Sequence, residues 1–135
     1  MSVESDIVTY LDSVTSLTAG TDLFQGPLPE LPNNCVAITH TGGEKGEYTM
    51  GPSLSAPGIE MARFQMAVRR TDRATAFTDA NSYYALLANL GPITLASGKL
   101  YQDVESLDGE PYNLGQDDQD MWRVVCNFRA WHQRT

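Results

Sequence analysis

A chain of 135 residues, 41% of them hydrophobic, can bury about two-thirds of its unfolded surface, which predicts a single domain over 1–135. Its formal net charge of −8 argues against a duplex-binding module, which carries a basic patch, yet lets DNA pass nearby without being gripped. No apolar run of about 18 residues marks a membrane helix, and the first residues lack the basic-then-apolar pattern of a signal peptide.

From the N-terminus, Val3, Ile7, Tyr10, Leu11, Val14 and Leu17 recur at steps of three and four, which predicts an amphipathic helix. Ser2 suits its N-cap, Glu4 and Asp6 suit its positive end, and Gly20 is a natural stop. The LFQGP at 23–27 matches a picornaviral protease site often engineered into proteins. A tag would bring a His run or a flexible linker, and a cleaved remnant would leave only Gly-Pro at the new terminus. A helical stripe precedes it instead, so the stretch is native. Residues 23–31, with Pro27, Pro29 and then Pro32, favour an extended arm or edge strand.

Asn34–Thr41 alternates as a strand, with Val36, Ile38 and His40 on one face and Cys35, Ala37 and Thr39 on the other. Gly42, Gly43, Gly46, Gly51, Pro52, Pro57 and Gly58 then predict a long glycine-rich loop, with room for a short strand at Tyr48–Met50. In MARFQMAVRR alternation returns, Phe64, Met66 and Val68 opposing Arg63, Gln65 and Arg69. A second helix is predicted over Asp72–Leu90, its inner side formed by Ala76, Ala80, Tyr83, Leu87 and Leu90, widened by Phe77 and Tyr84 and stopped by Gly91-Pro92. Strands follow at Ile93–Leu95, Lys99–Leu107 and Met121–Trp131, the last two separated by the acidic, turn-rich DGEPYNLGQDDQD. The order predicts an α+β fold: a mostly antiparallel sheet with both helices on one face.

Catalytic and metal-binding patterns are absent. His40 and His132 belong to no zinc spacing, no G-x-S-x-G elbow occurs, and TGGEKGE lacks the lysine-serine/threonine end of a phosphate loop. GQDDQD (115–120) misses the glycine and final glutamate of a calcium loop and reads as a solvated turn. Cys35 and Cys126 sit far apart in apolar strands and read as buried free thiols, with a disulfide or a reactive thiol as the alternatives. No catalytic residue, metal or cofactor is therefore expected.

Charge placement carries more. Arg63, Arg69, Arg70 and Arg73 cluster where a strand meets the second helix, although a helix N-terminus mildly opposes cations. Asp103, Glu105, Asp108, Glu110, Asp117, Asp118 and Asp120 concentrate acid in the last third. An ordinary mixed surface is one explanation. The sharper one is a heterologous interface, arginines of one copy against Asp103, Glu105, Asp117, Asp118 and Asp120 of the next, which closes into a ring if the rotation allows. Arginine suits this because its planar fork grips carboxylates bidentately.

The ordered set GTDLFQGPLPELPNNCVAITHTGG, FQMAVRR leading into ATAFTDANSYYALL, and PYNLGQDDQDMWRVVCNF resembles a family of small bacteriophage proteins, the minor capsid or tail-terminator proteins of long-tailed phages. The resemblance spans nearly the whole chain. It implies an α+β virion structural protein of the tail and neck, assembled in the host cytoplasm, forming a ring, commonly hexameric. Such a ring caps the tail tube and joins it to the head connector or stopper while DNA passes through. On this reading Gly42–Gly58, with Gly43, Tyr48, Met50 and Pro52, is an assembly arm that orders on contact with a neighbour. Two alternatives stand beside it: another neck or head-completion protein, and a non-viral ligand-binding or enzymatic α+β domain.

Overall fold

The computed structural model describes residues 3–30, 32–47, 59–117 and 119–133. In chain order these form α1 (Val3–Val14), β1 (Leu23–Gln25), β2 (Cys35–Glu47), β3 (Ile59–Arg70), α2 (Arg73–Leu87), β4 (Ile93–Thr94), β5 (Leu100–Ser106), β6 (Tyr112–Gln116) and β7 (Trp122–Gln133). The strands make one sheet in the order β1-β2-β3-β7-β5-β4, with β6 also against β7. The free side of β7 is shared: β5 pairs with its Phe128–His132 part and β6 with its Trp122–Val125 part.

The two-residue period of a strand decides which side chains face the helices. Direct cross-strand pairing lines up Val36, Val68 and Val124, then Ile38, Met66 and Cys126, and sets Phe64 opposite Phe128. The two phenyl rings stack with centroids 5.2 Å apart. Ile7 and Leu11 of α1 and Ala76, Ala80, Tyr83 and Leu87 of α2 join these residues in one hydrophobic core. Both helices thus cover the same sheet face, as their apolar stripes predict. Asp72 caps α2, its carboxylate accepting from the Thr75 backbone N–H at 2.9 Å, and the helix ends at Leu87 rather than Leu90.

Three expectations need correction. The sheet is mixed, where a mostly antiparallel one was expected, because β1 runs parallel to β2; three residues are too short for direction to show in a pattern. The acidic stretch read as a turn contains β6, held by β7 and bulged at Gly115. The glycine-rich stretch does not begin as a loop at Gly42: β2 continues to Glu47 in register with β3, with bulges between His40 and Gly42 and between Glu44 and Glu47. Residues 48–58, and with them the suggested short strand at Tyr48–Met50, lie outside the described residues.

Gly43 is required by that ribbon. A Cβ there would stand 2.5 Å from the Met61 carbonyl oxygen, closer than any ordinary contact and against backbone that cannot rotate away. Gly43→Ala is expected to cost about 1–3 kcal/mol, as overpacking does. Hydrogen exchange should show the loss in the outer ribbon (Gly43–Glu47 with Ile59–Ala62), leaving the Cys35–Ile38 segment protected.

Candidate functional site

Register, more than sequence proximity, distributes the arginines. On the sheet face turned away from the helices, Arg63 of β3 lies directly opposite Arg129 of β7, and Arg69 opposite Arg123. Like charges set opposite in a sheet repel, so each needs a neutralising group. For Arg69 the chain supplies carbonyls: its guanidinium donates to Pro32 O at 2.6 Å, Asn33 O at 3.1 Å and Glu30 O at 3.2 Å, tying down the proline-rich arm. Arg129 pairs with Glu105, its Nε donating at 2.6 Å.

Arg70 points to the opposite, helix-covered side. Its Nε donates to Asp79 Oδ2 at 2.9 Å, one Nη to Arg69 O at 2.9 Å and Cys35 O at 3.3 Å, and the other to the Tyr83 hydroxyl at 3.4 Å. Arg69 and Arg70 are only 6% and 8% exposed. The four arginines predicted to form one surface patch therefore do not converge. Two are consumed inside the fold, Arg63 is half-buried on the open sheet face, and Arg73 is exposed on α2, its guanidinium over Phe77 at 5.2 Å and Trp122 at 5.8 Å.

The acidic residues divide as well. Asp103 and Glu105 pair with Trp131 and Arg129, which places both on the arginine-bearing face. Asp117 belongs to its own turn: its carboxylate accepts from the backbone N–H groups of Gln119 at 2.9 Å and Met121 at 3.0 Å. The Met121 hydrogen bond, then that of Gln119 and the nearby Arg69 and Arg123 charges, hold its carboxyl below the usual range. Together with Glu30, Arg69 and Gln119 it lines a shallow hollow. Asp120 is exposed and closes the turn at φ 62°; Asp118 lies outside the described residues. Of the arm candidates, Gly42 and Gly43 are strand residues opposite Arg63 and Ala62, while Tyr48, Met50 and Pro52 lie outside the described residues.

One polar site was missed. Asp6 was read as a helix-end charge, but its side chain turns inward and is fully buried. It accepts from the Tyr101 hydroxyl at 2.7 Å, from Ser97 Oγ at 2.9 Å and from Ser97 N at 3.3 Å. Its place between Val3 and Ile7 on the apolar stripe was the available signal. His132 is buried with its ring 5.3 Å from that of Tyr101, whereas His40 is exposed on β2.

Cys35 and Cys126 are free and buried, and desolvation pushes both thiols up from their ordinary range. A soluble disulfide reagent at pH 8 should therefore modify both at least about 100-fold more slowly in the folded chain than in denaturant.

A family model described as "Bacteriophage tail terminator protein" matches residues 10–132. Among solved structures, a chain from "Virion of native gene transfer agent (GTA) particle" shares the fold with a TM-score of 0.56 at 17% identity, over 84% of this chain and 80% of that one. No curated protein matches the chain.

Proposed function

The chain belongs to the bacteriophage tail terminator family, and from that premise we propose that its copies close into a ring that ends the tail tube and presents the surface joining it to the head connector. As a member of that family it is a structural protein of the virion tail. The observation that carries the fuller reading is the extent of the family match, residues 10–132, which leaves almost none of the described fold for another role. A hexameric ring, the tube protein and the connector or stopper as its two neighbours, and DNA passing through belong to this proposal. It acts by fit, with no reaction of its own.

The ribbon of β2 and β3 supports a further part of it. β2 and β3 stay paired out to Glu47 and Ile59, and the segment that joins them, residues 48–58, is the part of the chain we assign to contact with a tube subunit. Replacing residues 48–58 by a short turn is expected to leave the melting temperature nearly unchanged and to abolish attachment to tubes. Attachment at full strength would remove the arm from the proposal.

Native mass spectrometry over a range of protein concentrations tests the ring. One dominant closed species, expected at six copies, which then blocks further growth of purified tubes, supports it. A chain that stays single at every concentration, with and without tubes, overturns it.

A further inference from the structure

The sheet face turned away from the helices carries its own electrostatic complement. Across β3, β7 and β5, the pairings Arg63 with Arg129, Arg129 with Glu105 and Trp131 with Asp103 run from base to acid. Strands stand about 4.8 Å apart, so the basic and acidic flanks are separated by roughly 10 Å. Arg129 and Glu105 neutralise each other between them. The Asp103 carboxylate makes no hydrogen bond or ion pair among the described residues.

On the basic flank, the residue of β2 opposite Arg63 is Gly42. A Cβ at Gly42 would meet no described atom within 4 Å, so an open notch lies beside the half-buried Arg63, which also makes an interaction within its own chain. On the acidic flank, Trp131 sits beside Asp103, with the Arg129 guanidinium 5.7 Å from its ring. Tryptophan and arginine are the side chains that most often dominate protein interfaces.

We propose that this face supplies the contact between adjacent copies, the notch at Gly42 and Arg63 of one copy receiving the flank around Asp103 of the next. The inference rests on the ring reading above. A second copy is the favoured occupant because base and acid lie on opposite flanks of one face. Copies placed side by side then join unlike flanks at every step, the head-to-tail contact that a closing rotation turns into a ring. A nucleic acid laid on the face would meet Asp103 and Glu105 as well as the arginines, on a chain whose net charge is −8.

Two single reversals test it. Arg63→Glu and Asp103→Arg, each alone, should raise the concentration for half-assembly at least 10-fold. Mixed in equal amounts they should recover assembly to within about threefold of the original, in rings holding equal numbers of each variant, because each junction then joins unlike charges again. Circular dichroism confirms that each variant is folded; should either reversal fail to fold, Arg63→Gln with Asp103→Asn reads the same contact, expected to weaken assembly about threefold. Unchanged assembly by folded single variants, or a mixture that does not recover, overturns this contact while the original ring stands. An original protein that forms no ring overturns the ring reading itself, and this contact with it.

Discussion

Replacing Arg70 by alanine is expected to lower stability by about 2–4 kcal/mol, somewhat below the range for breaking a fully buried ion pair from one side because the partner carboxylate keeps some solvent. The side chain is 10% exposed and its partner Asp79 33%. The guanidinium joins three elements: Asp79 and Tyr83 on α2, the end of β3 through Arg69 O, and the start of β2 through Cys35 O. Truncation leaves the partly solvated Asp79 carboxylate without its partner and, at greater cost, two carbonyls and the Tyr83 hydroxyl without the donor they share. For a chain of this length the loss should appear as a fall of roughly 10 °C in melting temperature.

Arg70→Lys keeps the charge but offers a point donor in place of the planar fork, so it should fall between the two. Asp79→Ala should cost less than Arg70→Ala, since the aspartate is partly solvated and its loss leaves the arginine its carbonyl acceptors. If urea titration finds Arg70→Ala no more damaging than Asp79→Ala, the guanidinium does not join the three elements as described. The proposed ring offers a second readout: if the original chain assembles, a folded Arg70→Lys should assemble equally well, because this arginine lies inside the subunit.

The pattern of Phe64, Met66 and Val68 against Arg63, Gln65 and Arg69 specifies β3 on sight, and the matching alternation in β7 does the same, because a half-buried strand must repeat every two residues. The stripe of Ala76, Ala80, Tyr83 and Leu87 is equally direct for α2. Pattern alone does not show which strands touch. Arg63 and Arg129 lie 66 positions apart in the chain, and only the register of β3 on β7 sets them side by side. A run of arginines therefore looked like one patch, although alternation sends Arg69 and Arg70 to opposite faces and loop carbonyls or Asp79 absorb their charge.

The β6 segment, Tyr112–Gln116, was hidden for a related reason. Its Asn-Leu-Gly core has the composition of a turn, and its strand character comes from the edge of β7 that β5 leaves vacant. In β2 the error ran through glycine. Gly42 and Gly43 read as loop formers, whereas Gly43 is there because the neighbouring strand comes too close for any Cβ. Local propensity gives way to packing wherever a neighbour supplies the missing interactions.

Tyr101→Phe is expected to cost about 2 kcal/mol at neutral pH, through loss of a buried hydrogen bond to a carboxylate, and Asp6→Ala about 3 kcal/mol or more. The aspartate ties α1 to the Ser97–Tyr101 segment: it accepts from Tyr101 and twice from Ser97, and without it these buried and part-buried donors have lost their acceptor. A double-mutant cycle should give a coupling of at least about 1 kcal/mol between positions 6 and 101. The pH dependence is the sharper test. Desolvation first, then the Asp6 hydrogen bond and charge, push the Tyr101 hydroxyl well above its ordinary value of 10.0. The folded chain therefore keeps this proton at a pH where the unfolded chain has released it, so the stabilisation is intact below about pH 10 and falls by about 1.4 kcal/mol per pH unit above it. Phenylalanine has no proton to lose, so the gap between the two proteins should stay constant from pH 7 to 9, narrow above 10 and close near pH 11.5. Tyr83 and the two thiols also titrate there, but they are common to both proteins and cancel in the difference. A gap that persists unchanged to pH 11.5 would mean that the Tyr101 hydroxyl is not confined against Asp6.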